Sequence, residues 1–167
     1  KVRSKYNARG MLEKEMYENE GYTELDYYYY SAEYDEMDNL LKEYYFGKDM
    51  GDPKTVKIKE YEYDSRNRIT GKKTLYTGDI LETREYEYDG FDNIVKEKYL
   101  EFDAVNKTLG EKFLLFEYDE YGNNTTCLFT DENGKLVSGE EGFAIIRREH
   151  SPEGNLIVEA VYGTDGK

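Results

Sequence analysis

The sequence predicts an all-β protein: antiparallel β-hairpin repeats forming an extended curved sheet or open β-solenoid. Three observations carry this. A Tyr-Asp pattern recurs along the 167 residues, the residues before each pair alternate in polarity, and turn formers follow each pair at a set distance. The anchors are Tyr6, Tyr34, Tyr63, Tyr88, Tyr118 and His150, spaced 28, 29, 25, 30 and 32 residues apart.

The strongest copies are Tyr34-Asp35, Tyr63-Asp64, Tyr88-Asp89 and Tyr118-Asp119. They share the run Tyr-Asp-x-x-(Gly/Asp/Asn)-Asn-(Leu/Ile), with Arg68 in place of Asn in the second and Asn124 in place of Leu or Ile in the fourth. Tyr6-Asn7 and His150-Ser151 are weaker copies at the two ends. Before the anchors, Tyr61 and Tyr63 oppose Glu60 and Glu62, and Tyr86 and Tyr88 oppose Glu85 and Glu87. A period of two with rings on one side and carboxylates on the other is the mark of a half-buried strand. After each anchor, Asp, Asn and Gly supply a turn of four to five residues, and a second strand such as Ile94 to Leu100 follows. The unit is therefore a hairpin.

Return connections vary. Thr77-Gly78-Asp79 is the shortest, and longer ones run over 47–53, 103–110 and 131–142. If the last is a surface loop, the fold should tolerate its deletion; loss of folding would show that it is part of the sheet. Stacked hairpins would align rings in a column through the anchors, and a second column through Leu12, Leu40, Ile69, Ile94 and Leu156. A third column, Tyr17, Tyr45, Tyr99, Phe129 and Val161, lies five residues further on. By strict alternation it faces away from the second, while Lys42 and Lys96 share parity with Leu40 and Ile94. A bulge or a sheet wetted on both faces would each account for this.

Composition narrows function. There are 37 acidic against 23 basic residues, a net charge of −14, and 19 Tyr. An acidic chain lacks the basic face that phosphate contact needs, which argues against nucleic acid. No apolar run approaches the ~20 residues of a membrane helix. One Cys, Cys127, excludes an internal disulfide framework. His150 is the only His, so an imidazole triad is excluded, and its place at an anchor reads as a structural ring. Cys127, mid-strand in Thr125 to Phe129, reads as a buried inert thiol. No metal or cofactor site is expected: one Cys and one His cannot assemble a zinc site, and the Asp-rich turns miss the EF-hand pattern. Carboxylates are too abundant for any pair to stand out as an acid–base couple, so no catalytic residue is assigned.

The remaining candidates are aromatic. In Tyr27 to Tyr30, one pair of rings must face away from the other. Tyr28 and Tyr30, with Tyr45, Tyr99 and Phe129, are candidate binding residues for sugar rings or a protein surface. The plainer reading is that they are ladder residues like the other Tyr.

The pairs Tyr63-Asp64 and Tyr88-Asp89 and the run Tyr118-Asp119-Glu120-Tyr121-Gly122-Asn123 resemble the YD repeats of the RHS (rearrangement hot spot) class. The spacer from Thr130 to Lys135, through Gly139 and Gly142-Phe143-Ala144, is similar to long-spacer variants in bacterial surface proteins. The resemblance implies β-hairpin strips, often coiled into a shell or solenoid, that are not themselves enzymes. The usual Arg and Thr positions of the short repeat are mostly absent and the spacing is longer, which favours an open curved sheet over a closed shell.

The expectation is a single array over 1–167 of about six hairpins. The chain starts at Lys1 and ends on Gly163 to Lys167, which echo the spacer at Thr130, so a longer parent protein is expected. The function expected is a non-enzymatic interaction module of a bacterial surface or secreted protein, contacting carbohydrate or protein. The alternative is a scaffold that encloses or presents an effector or toxin domain outside this segment.

Overall fold

The computed structural model describes residues 2–17, 29–47, 55–103, 108–139 and 141–167. Twelve strands follow one another, with no helix among the described residues. They are β1 (Val2–Tyr6), β2 (Leu12–Tyr17), β3 (Tyr29–Tyr34), β4 (Leu40–Phe46), β5 (Thr55–Tyr63), β6 (Ile69–Tyr76), β7 (Asp79–Tyr88), β8 (Ile94–Asp103), β9 (Thr108–Tyr118), β10 (Asn124–Thr130), β11 (Ile145–His150) and β12 (Leu156–Tyr162). Strand order in the antiparallel sheet is chain order. The chain forms two compact units, 1–83 and 84–167, with the boundary inside β7.

The recurring pair explains the turns. The N–H of Asn7 donates to the carbonyl of Met11, and that of Gly10 to the carbonyl of Asn7, closing a three-residue loop. The same two bonds recur at Asp35, Asp64, Asp119 and Ser151. This is shorter than the four to five residues the sequence suggests. The fourth residue takes a positive φ, 60° at Asn67 and 83° at Gly122, as a type I turn followed by a left-handed residue requires. The Asp side chain clamps the loop from inside. Oδ1 of Asp119 accepts the N–H of Tyr121 and of Asn123, both at 2.9 Å, and Asp35, Asp64 and Asp89 do the same in their own turns.

In three hairpins the anchor Tyr ties the unit to the one before. Tyr34 Oη–H donates to the carbonyl of Leu12 at 2.9 Å, Tyr63 to Leu40 at 3.0 Å and Tyr118 to Ile94 at 2.8 Å. The two residues of the repeat thus do different work: Asp closes its own turn, and Tyr fixes the neighbour.

Each of five hairpins carries a β-bulge just past the turn. Pairing shifts from Tyr34↔Leu40 to Glu33↔Lys42, from Tyr63↔Ile69 to Glu62↔Gly71, and from Tyr118↔Asn124 to Glu117↔Thr126. The first and last hairpins shift in the same way. Residues Leu41, Thr70 and Thr125 are the extra ones, and the inserted residue reverses parity. Directly paired residues share a face, so Leu40 and Tyr45 lie together with Tyr34 and Tyr30, and Asn124 and Phe129 with Tyr118 and Leu114. The expectation that the third column faces away from the second is therefore corrected. Lys42, displaced to the other face, pairs with Glu33 across the strand and forms an ion pair with Glu60 at 2.8 Å.

Both faces are also wetted. Among the described residues only Ala32, Cys127, Ala144 and Ile145 form a buried apolar core, and no large side chain is fully buried. Order comes from half-buried rows, where each cross-strand pair contributes about 0.2–1 kcal/mol.

The 131–142 stretch is largely exposed, yet part of it joins the sheet. It holds two more turns of the repeat type, at Asp131 and Gly139. Leu136 bridges to Thr130, and Val137 N–H donates to the carbonyl of Phe129 at 3.0 Å. The chain then returns through Ala144, whose N–H reaches the Tyr162 carbonyl and whose carbonyl takes the Phe129 N–H. The spacer is thus bonded to β10 on the way out and to both β10 and β12 on the way back. At the other extreme, Thr77 and Gly78 both take positive φ, 50° and 94°, in a two-residue hairpin turn.

Candidate functional site

The aromatic candidates separate into two clusters, one in each unit. In unit 1, the bulge in β4 puts Glu43 on the tyrosine face opposite Ala32. Its carboxylate accepts three phenol O–H bonds: from Tyr61 at 2.6 Å, Tyr45 at 2.9 Å and Tyr30 at 3.2 Å. Lys59 Nζ stands 3.8 Å from the same carboxylate. The rings of Tyr30 and Tyr45 meet edge to face at 5.4 Å, and Lys57 and Lys59 lie over the Tyr45 ring at 5.8 and 5.4 Å. Burial, with the adjacent Glu43 charge, pushes the Tyr30 phenol well above its usual range; burial and the Glu43 hydrogen bond do the same for Tyr61. These phenols stay protonated as donors. With its hydroxyls turned inward onto one carboxylate, this cluster is built to hold three strands together. Tyr28 lies outside the described residues.

In unit 2, Tyr99 and Phe129 line one open cleft of about 360 Å³. The pairings Glu97↔Leu114, Tyr99↔Lys112 and Leu114↔Phe129 place all five residues on the anchor face of β8, β9 and β10. The spacer supplies the far wall through Gly139, Glu141 and Phe143. Phe143 meets Phe129 edge to face at 5.9 Å. A Cβ on Gly139 would sit 2.9 Å from the Phe129 ring, so the backbone there approaches as closely as only glycine allows. Arg84 closes the other side. Its guanidinium lies 4.6 Å over the Tyr99 ring and donates to Glu97 at 2.7 Å. The cleft therefore offers ring edges and faces with a fixed charged pair, and Lys112 adds a second cation. That combination suits a ligand with both apolar and hydroxyl surfaces.

Sequence reasoning selected Tyr99 and Phe129 as a column but missed Arg84, Glu97 and Phe143. Column spacing could not find them, because Arg84 belongs to a neighbouring strand and Phe143 arrives from the spacer. It also missed Glu43, because only the pairing of β4 with β3 and β5 brings the phenols of Tyr30 and Tyr61 onto its carboxylate.

The anchors Tyr34, Asp35, Tyr63, Asp64, Tyr88, Asp89, Tyr118 and Asp119 sit at the turns. Hydrogen bonds from Asn39, Arg68 and Asn123 side chains hold the carboxyls of Asp35, Asp64 and Asp119 below the usual range. Cys127 is buried opposite Phe116, and burial raises its thiol. His150 pairs with Leu156 at the last anchor, and its Nδ1 is buried without a hydrogen-bond partner. Among the described residues no group of three or more His, Cys, Asp or Glu side chains could hold a metal ion.

No protein-family model and no curated protein matches the chain. Solved structures do. TcdB2-TccC3 without its hypervariable C-terminal region aligns with a TM-score of 0.57 at 15% identity, over 96% of this chain and 9% of that one. A second structure, TcdB2-TccC3-TEV, gives a TM-score of 0.47 at 15% identity over the same shares. A protein of unknown function from Bacteroides fragilis NCTC 9343 gives 0.40 at 12% identity, over 79% of this chain and 91% of that one. The likeness to the first is one of fold, and the chain spans only about a tenth of that protein's length.

Proposed function

We propose that this chain is a non-enzymatic interaction module of the YD-repeat type, from a bacterial surface or secreted protein, which binds carbohydrate or protein through its aromatic face. The observation that carries the reading is the cleft of unit 2, where Tyr99, Phe129 and Phe143 converge beside the Arg84–Glu97 pair. Rings with a few fixed polar groups are what a sugar or a protruding side chain needs for orientation. The spacer that completes the cleft is the longest of the connections and is itself built from repeat-type turns, so variation at its exposed turn positions, away from the bonds to β10, would retune the site.

The test is a glycan array and peptide array probed with the whole chain and with Tyr99→Ala and Phe129→Ala. Specific binding that both substitutions weaken supports the reading. A folded chain that binds nothing on either array overturns it.

A second reading is a scaffold that encloses or presents an effector domain lying outside this segment. It is supported by the fold likeness to TcdB2-TccC3 without its hypervariable C-terminal region over 96% of the chain. Reading the parent gene beyond both ends separates the two: a toxin-like domain downstream favours the scaffold, and an anchor or secretion signal favours the surface module.

A further inference from the structure

The hairpin turns of unit 2 carry a feature that neither the ladder nor the cleft uses. Phe91 is 88% exposed and Tyr121 75% exposed, the two most exposed large apolar side chains among the described residues. They hold the same position in neighbouring hairpins, two residues after the clamping Asp89 and Asp119. Each N–H donates to its own Asp Oδ1, at 2.8 and 2.9 Å, and each is followed by a left-handed residue, Asp92 at φ 71° and Gly122 at φ 83°. The two turns therefore present their rings from equivalent backbone frames. The frames are tied: β8 pairs with β9, and Tyr118 Oη–H donates to the Ile94 carbonyl at 2.8 Å. Turn tips normally take small polar residues, and rings at these tips cover nothing in the fold.

Equivalent positions on adjacent hairpins are two strand spacings apart, about 10 Å. That is close to the two-sugar repeat of an extended β-1,4-linked glycan, in which alternate sugars present the same face. We infer that the turn edge of unit 2 is a stacking platform for a neutral, extended β-1,4-linked glycan, with Phe91 under one sugar and Tyr121 under the next but one. The surroundings select against anionic chains. Asp92 and Glu120 flank the rings, Glu153 stands at the matching position of the following turn, and the chain as a whole carries −14. Carboxylates there accept sugar hydroxyl hydrogens and repel uronates and sulfates. The inference takes the carbohydrate class from the interaction-module reading and is otherwise independent of the cleft.

The test is calorimetric titration of the whole chain with four probes: cellohexaose, chitohexaose, maltohexaose and a hexamer of galacturonate. Cellohexaose or chitohexaose should bind, and maltohexaose, whose α-1,4 linkages coil the chain, and the galacturonate hexamer should bind at least 10-fold more weakly. Phe91→Ala and Tyr121→Ala should each weaken binding 10-fold or more, the double variant should abolish it, and Tyr121→Phe should retain it. Circular dichroism should match the parent chain in every variant, since both side chains point away from the core. Equal binding of maltohexaose, preference for galacturonate, or undiminished binding by the double variant overturns the inference. If Tyr99→Ala abolishes cellohexaose binding while the double tip variant keeps it, the glycan belongs to the cleft; the inference then falls and the module reading stands. If no probe binds and the arrays are also blank, both fall.

Discussion

Replacing Glu43 by Ala tests whether one carboxylate holds three strands of unit 1 together. Glu43 has a side chain only 13% exposed and accepts O–H bonds from Tyr30 on β3, Tyr45 on its own strand and Tyr61 on β5. Hydrogen bonds to a charged acceptor contribute about 1.5–3 kcal/mol each when buried. The phenols here are half-buried, so water can replace part of what is lost, and the 3.2 Å bond from Tyr30 is the weakest. Taking the lower value for the two shorter bonds, Glu43→Ala should cost about 3 kcal/mol. Urea unfolding followed by tyrosine fluorescence and far-ultraviolet circular dichroism measures this, since the chain has 19 Tyr and no Trp. The control is Glu62→Ala, on an exposed position of β5, which should stay within about 0.5 kcal/mol. Combining Glu43→Ala with Tyr61→Phe should show a coupling of about 1 kcal/mol, because the two remove one shared bond. A Glu43→Ala cost no larger than that of Glu62→Ala, or additive single effects, would refute the idea that the carboxylate organises the cluster.

Other outcomes follow from the same geometry. Burial and Glu43 raise the Tyr30 and Tyr61 phenols, so the folded state keeps their protons longer than the unfolded chain. Their stabilisation is complete below the unfolded phenol pKa of ~10 and is lost as pH rises beyond it. An alkaline series of urea curves should show this decline, and Tyr61→Phe should flatten it. Gly139→Ala should lower thermal stability by about 1–3 kcal/mol at the transition, because the new methyl meets the Phe129 ring at 2.9 Å; an unchanged melting temperature would show that the ring moves freely. Cys127 is buried with a raised thiol, so a water-soluble disulfide reagent should modify it only at the rate of unfolding, and rapid labelling of the folded chain would contradict its placement.

How much was legible depended on the range of the interaction concerned. The turns are local. Asp35, Asp64, Asp89 and Asp119 bond to N–H groups two and four residues on, within the span a motif occupies, so the repeat could be found by reading along the chain. Strand alternation before each anchor is local too, and with the turns it determined the class, the hairpin unit and the strand order of an antiparallel meander. The bulge was legible only as one of two explanations for the mixed parity of the second strand, and its position was not legible. The extra residue is Glu13, Leu41, Thr70, Thr125 or Ile157, so no single residue type marks it, and it is set by how the tight left-handed turn delivers the second strand to the first. One unpaired residue reverses every later side chain, which is why strict alternation put the third aromatic column on the face away from the second.

The candidate sites divide in the same way. From the sequence alone came an acidic, tyrosine-rich ladder, with Tyr28, Tyr30, Tyr45, Tyr99 and Phe129 as the candidate binding rings. Only tertiary structure decided that Tyr30 and Tyr45 turn their hydroxyls onto Glu43, whereas Tyr99 and Phe129 face an open cleft walled by Arg84 and the spacer. The physical reason is that a strand specifies its own alternation, while the neighbour beside each ring depends on register between residues up to 19 apart in sequence, and register follows from turn geometry rather than from residue type.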